Sequence, residues 1–108
     1  VTVIHAQQAD RDGNVLIDGI VGVQKEAAFA ASRTIATVEE IVDRFEAHGR
    51  SAVILPSWTI AAVVEAPGGA RPSYAHGYYA RDNAFYAGWE AIAKDRETFR
   101  AWLQEHVL

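Results

Sequence analysis

Apolar residues fall along this chain in short blocks set apart by polar turns. Val1 to His5 is a nearly continuous apolar run, the pattern of a strand covered on both faces of a parallel sheet. Asp12-Gly13 supplies turn chemistry before a second short strand-like run, Asn14 to Ile17. Val23 to Ala31 is alanine-rich with Lys25 and Glu26, which predicts a helix whose small side chains allow close approach to a sheet. Arg33 to Ala36 reads as the next strand. Val38, Ile41, Val42 and Phe45 then stand at i, i+3, i+4 and i+7, with Glu39, Asp43, Arg44 and Glu46 elsewhere, and this stripe predicts a helix. Thr37 and Glu40 have the spacing of a capping box at its start, and Gly49 marks a stop. Ala52 to Leu55 predicts a short buried strand ended by Pro56, and Ile60 to Glu65 another, interrupted by Pro67-Gly68-Gly69. Pro67 to Arg81 has no period and carries Tyr74, His76, Tyr78 and Tyr79; such long loops in compact domains are often functional or interfacial. Two helices follow. Phe85, Trp89 and Ile92 share a face of the first; Phe99, Trp102, Leu103 and His106 share one of the second, with Asp95 as its amino-terminal cap and the tryptophans expected in a core.

Strands alternating with helices indicate an α/β fold with a mostly parallel sheet. The 108 residues, half of them hydrophobic, are enough for one small domain with a core. The chain has no methionine and begins inside a strand-like run, so a piece of a longer polypeptide is expected, with Val1 entering an interior strand whose preceding partners are missing. Expressed alone, such a piece is expected to be unstable or to aggregate. The absence of cysteine removes disulfides, thiolate nucleophiles and cysteine-ligated metals. A net charge of −4 without a basic cluster argues against a nucleic-acid surface, and no run is long and apolar enough for a spanning helix.

The run from His5 to Asn14 is the richest in candidate chemistry. Read as a loop at a strand's carboxyl end, it offers Gln7, Asp10 and Asn14 to orient an acid or an acyl group, where open α/β sheets bind ligands. The same residues also suit a polar turn in which Asp10 caps backbone donors. A calcium loop counted from Asp10 fails, because its sixth and twelfth positions are Val15 and Val21. Gly68 and Gly69 would let the backbone come close to a ligand, or simply make a tight turn. Neither glycine-rich phosphate fingerprint is present. Arg71 could pair with a phosphate or carboxylate, or with a neighbouring acid. Ser57, Ser73, His76 and Asp82 include the residue types of a serine triad without a nucleophile elbow, and no His-x-x-x-His pair supports zinc. The tyrosines between Pro67 and Arg81 suit stacking, a subunit contact or covering of a core. Glu26, Glu39, Glu40 and Glu65 are available carboxylates, none marked as a nucleophile by its neighbours.

The order His5-Ala6-Gln7-Gln8-Ala9-Asp10-Arg11-Asp12-Gly13-Asn14, followed by Gly19, Gly22 and Gln24-Lys25-Glu26 and by Pro67-Gly68-Gly69-Ala70-Arg71-Pro72-Ser73-Tyr74, resembles family I coenzyme A transferases. The likeness is to the carboxy-terminal part of an alpha subunit of the glutaconate CoA-transferase type, along residues 1–108. It implies a three-layer α/β/α fold and a cytoplasmic hetero-oligomer with a beta subunit. It also implies transfer of CoA between an acyl-CoA and a carboxylic acid through a glutamyl-CoA thioester, a case of nucleophilic catalysis. Coenzyme A is then a substrate thioester, not a tightly bound cofactor, and neither nucleic acid nor membrane is a partner. The attacking glutamate resembles a beta-subunit feature, and the oxyanion element of such alpha subunits has no counterpart here. No catalytic residue and no metal ligand is therefore expected in this chain; Gln7, Asp10, Asn14, Gly68, Gly69 and Arg71 are the substrate- or CoA-binding candidates. Similar subunits often carry histidine where Arg71 stands, so no histidine role is carried to that position. The alternatives are a related subunit that hydrolyses a ring in a cyclic CoA ester, and a structural module without a ligand.

Overall fold

The computed structural model describes residues 1–46 and 48–108. Five strands, β1 (Thr2–Asp10), β2 (Val15–Ile17), β3 (Thr34–Val42), β4 (Val53–Leu55) and β5 (Ala62–Glu65), form one sheet in the order β4-β2-β1-β3-β5. β3 is parallel to β1 and to β5, whereas β2 is antiparallel to both β1 and β4. The sheet is mixed, but only β2 runs against the rest. The α/β class and the parallel centre agree with the sequence. Strand β1 is interior as expected, yet both its neighbours, β2 and β3, come from this chain rather than from a preceding segment.

The helix α1 (Gln24–Ala30) lies against the sheet through Ala28, which is buried with Ile4 and Ala6 of β1 and Ala36 and Val38 of β3. Alanine at that contact brings helix backbone and strand side chains within hydrogen-bonding reach. Thr2 Oγ1 donates to Ala27 O at 3.3 Å and the buried Thr34 Oγ1 donates to Ala28 O at 3.2 Å, so two strand threonines satisfy carbonyls at the helix end. Val15, Ile17, Val38 and Leu55 are the large fully buried side chains, each contributing about 1.5–3 kcal/mol by burial.

Two expectations fail. The predicted helix from Val38 to Phe45 is instead, in its first half, the end of β3. Six of the nine residues of β3 are β-branched, which favours a pleated strand over a helix and outweighs the accidental helical stripe. The residues read as a capping box reach across strands: Thr37 Oγ1 donates to Ile4 O at 3.2 Å, and Glu40 accepts from Gln8. Ala47, between the stripe and its stop at Gly49, lies outside the described residues. The run His5 to Asp10 is likewise strand rather than loop, because β1 pairs with β3 as far as Asp10↔Val42. Only Arg11 to Asn14 turn, and an exposed Arg11–Asp43 ion pair joins the two strand ends.

Helices α2 (Asn83–Ala93) and α3 (Arg96–His106) start on the side chains of Asp82 and Asp95, which accept from Phe85 N and Thr98 N at 2.9 and 2.8 Å. They pack on each other through Phe85, Trp89, Phe99 and Trp102, with Trp89 and Trp102 rings 5.7 Å apart and nearly perpendicular. Neither helix has a buried residue, so the tryptophans form a half-covered aromatic cluster and not part of the sheet's core.

Candidate functional site

The densest polar arrangement is built on β1 and β3 beneath the loop that follows β5. His5 lies opposite Thr37 in the parallel ladder, and its ring meets Thr37 Oγ1 at 2.8 Å through Nδ1 and Glu39 Oε1 at 2.6 Å through Nε2. Glu39 is only 5% exposed. Its Oε1 also accepts from the Tyr79 hydroxyl at 2.6 Å, and its Oε2 accepts from Gly68 N at 2.7 Å. Tyr79 in turn accepts from Ala70 N at 2.9 Å. One buried carboxylate therefore joins a strand, the glycine loop and the tyrosine-bearing turn. Burial pushes the Glu39 carboxyl up, but bonds from Tyr79, Gly68 N and His5 outweigh it and hold the group below the ordinary carboxylate range. Burial beside Glu39 raises the Tyr79 phenol.

A second carboxylate–tyrosine pair stands beside the first. Glu40 Oε1 accepts from the Tyr78 hydroxyl and from Gln8 Nε2, both at 2.6 Å, and these bonds lower its pKa. Burial, then the bond to Glu40, pushes the Tyr78 phenol up to about 12. The tyrosine hydroxyls thus hold the Ala75–Tyr79 turn onto β3, the covering role among those open from the sequence. Gly77, at φ +83°, closes that turn.

Of the candidates, Gly68, Gly69 and Arg71 come together over this cluster. Gly68 adopts φ +79°, and Gly69 passes so close that a Cβ there would stand 2.8 Å from His5 Cε1 and 2.9 Å from Ala66 O. The Arg71 guanidinium lies 4.8 Å over the Tyr79 ring, with its chain exposed. Gln7 follows along β1, where its Oε1 accepts from Asp18 N at 2.8 Å. Beside Gln7 is a cavity of about 250 Å³ lined by His5, Gln7, Asp18, Gln24, Ala70 and Tyr74 among others; of the candidates only Gln7 lines it. Asp10 and Asn14 are placed elsewhere. Asp10 Oδ1 accepts from Asp12 N and Asn14 N at 3.0 and 2.8 Å, its Oδ2 accepts from the Asn14 amide at 2.8 Å, and Asn14 Oδ1 accepts from Ser57 N at 2.9 Å. Their polar groups are committed to the β1–β2 turn and to its tie to the residue after Pro56.

The grouping of His5, Glu39 and Tyr79 is not legible from the helical reading of residues 38 to 45. A signal for part of it lies in Thr34 to Val38: as a β-branched strand continuing to Glu39, it sets that carboxylate beside the histidine of the first strand.

Residues 1–66 match the family model described as Coenzyme A transferase. The chain is 64% identical over 107 residues to a 3-oxoadipate CoA-transferase subunit of Pseudomonas knackmussii, covering 99% of this chain and 38% of that protein. It is 40% identical over 108 residues to a glutaconate CoA-transferase subunit of Acidaminococcus fermentans, covering 99% of this chain and 34% of the relative. It thus spans little more than a third of these relatives. The crystal structure of glutaconate coenzyme A-transferase from Acidaminococcus fermentans superposes with a TM-score of 0.82 at 36% identity, over 99% of this chain and 35% of that one. The decarboxylase AibA/AibB gives 0.70 at 31% identity, over 94% and 38%. On the family match over residues 1–66 and the shared fold, this chain belongs to the coenzyme A transferase family.

Proposed function

We propose that residues 1–108 are the carboxy-terminal part of a CoA-transferase alpha subunit, cytoplasmic and working with a beta subunit that carries the nucleophilic glutamate. The protein moves CoA between an acyl-CoA and a carboxylic acid; the relatives named for 3-oxoadipate and glutaconate make a dicarboxylic acid the proposed acceptor or donor class. This chain contributes pocket wall and subunit contact, not the nucleophile. The observation that carries the reading is the cavity beside Gln7 and Ala70, one of whose lining residues, His5, is held by Glu39. Gln7 lines the cavity and is a proposed binding residue, and Gly68, Gly69 and Arg71 of the adjoining loop are proposed to meet the ligand outside it. Asp10 and Asn14 contribute by holding the turn that ends β1.

A shared fold is compatible with more than one reaction, as the decarboxylase relative illustrates. The test uses the full-length subunit co-expressed with its partner, incubated with acyl-CoA and then reduced with borohydride. A modified glutamate located in the partner by mass spectrometry is the expected result. Modification of Glu39 or Glu40 would move the chemistry into this chain, and carbon dioxide release without any modified glutamate would replace transfer by decarboxylation.

A further inference from the structure

The hydrogen-bonding capacity left free around the cavity narrows what it can hold. Among the described residues, no Lys or Arg lines it. Both ring nitrogens of His5 are engaged, by Thr37 Oγ1 and Glu39 Oε1, so the ring has no N–H left to offer a ligand. The one carboxylate among its described lining residues, Asp18, accepts from Gly19 N at 2.7 Å and would repel an anion. A carboxylate or phosphate placed there would lose its hydration without an unpaired cation or charged donor in return.

The groups that remain are neutral and of both kinds. Gln7 uses its Oε1 on Asp18 N, which leaves its amide N–H groups as donors. Gln24, the first residue of α1, donates Nε2 to Val21 O at 3.3 Å, which leaves its Oε1 as an acceptor. Tyr74 brings a hydroxyl with no protein partner among the described residues, while Ile17 and Ile20 form apolar wall. A secondary amide meets this set with its carbonyl toward Gln7 and its N–H toward Gln24. The volume, about 250 Å³, is below that of a whole cofactor site and suits one arm of a larger ligand.

We propose that this cavity seats the neutral, amide-bearing pantetheine arm of the CoA thioester, and neither the carboxylate of the acid substrate nor the nucleotide phosphates. The inference rests on the CoA-transferase reading for the identity of the ligand, and on the free groups of Gln7, Gln24 and Tyr74 for its placement.

The experiment measures initial rates with the full-length complex, varying acyl-CoA and acid separately, for the natural protein, Gln24→Leu and Tyr74→Phe. Tyr74→Phe removes only a hydroxyl and preserves the fold. Each variant is expected to raise KM for acyl-CoA about five- to tenfold, the size of one lost hydrogen bond, and to leave KM for the acid unchanged. The same ratio should persist with acyl-pantetheine, which lacks the nucleotide, and vanish with an acyl thioester of a simple alkanethiol, which lacks the amides. A rise in KM for the acid alone, or no change in either, overturns the assignment. If the complex transfers no CoA, the functional reading fails separately. Calorimetric titration with pantetheine then decides the cavity: binding weakened in Gln24→Leu supports it, and no binding to the natural protein removes it.

Discussion

Gly69 passes over His5 with no room for a side chain: a Cβ at position 69 would lie 2.8 Å from His5 Cε1, 2.9 Å from His5 Nδ1 and 2.9 Å from the carbonyl of Ala66. The imidazole cannot retreat without breaking its bond to the buried Glu39, and the carbonyl is backbone. Gly69→Ala is therefore expected to destabilise the protein by about 1–3 kcal/mol, read as a lower denaturant midpoint. Gly88, inside α2 with open space around it, is the contrast; Gly88→Ala should stabilise by about 0.5–1 kcal/mol. Equal effects at the two positions would show that the close approach at Gly69 is not maintained.

Glu39→Gln keeps the size of the side chain but turns one acceptor oxygen into a donor facing Tyr79 and His5, or facing Gly68 N. A cost of about 1–3 kcal/mol is expected in chemical denaturation. The pH dependence has a definite sign. Because the folded Glu39 carboxyl sits below its ordinary value, the ionised group adds stability above the unfolded pKa of about 4.3, and that stability is lost as pH falls through the folded pKa. The variant should show a shallower acid limb than the natural protein.

At the alkaline end Tyr78 governs. Its phenol is raised to about 12, so its contribution is intact below about pH 10, where the unfolded phenol begins to ionise, and is lost as pH rises toward the folded value. Ultraviolet titration should find a tyrosine that ionises only near the top of that window. Tyr78→Phe should abolish this late step and flatten stability between the two values.

Asp10 and Asn14 separate a turn role from a binding role. Asp10→Ala removes acceptors from Asp12 N, Asn14 N and the Asn14 amide and is expected to cost about 1–2 kcal/mol. In the assembled complex, KM for both substrates should stay within about twofold of the natural value. A rise of about tenfold in KM without lost stability would instead put Asp10 against the substrate.

Helix α3 depends on Asp95, whose side chain accepts from Thr98 N at 2.8 Å and from Thr98 Oγ1 at 3.0 Å. The Thr98 N–H bond, ahead of the hydroxyl, holds that carboxyl below its usual range. Asp95→Ala should lower the denaturant midpoint, with hydrogen exchange at Thr98 rising more than exchange in β1.

The amino-acid order by itself determined the local devices: the Asp12-Gly13 turn, the alanine helix that lets Ala28 reach the sheet, the Asp95 cap, and the runs that become β2, β4 and β5. These are legible because their causes lie within a few residues. It also carried the family, through the order of residues from His5 to Asn14 and around Gly68 and Gly69. The tertiary structure decided the conformation of residues 38 to 42, where a helical spacing of apolar side chains competed with β-branched residues and lost to pairing along β1 and β5. The same pairing made a site of residues that are distant in sequence. Glu39 lies 34 positions from His5 and 40 from Tyr79, and only a parallel ladder with a loop folded over it brings an otherwise solvated carboxylate into burial among hydrogen-bond donors.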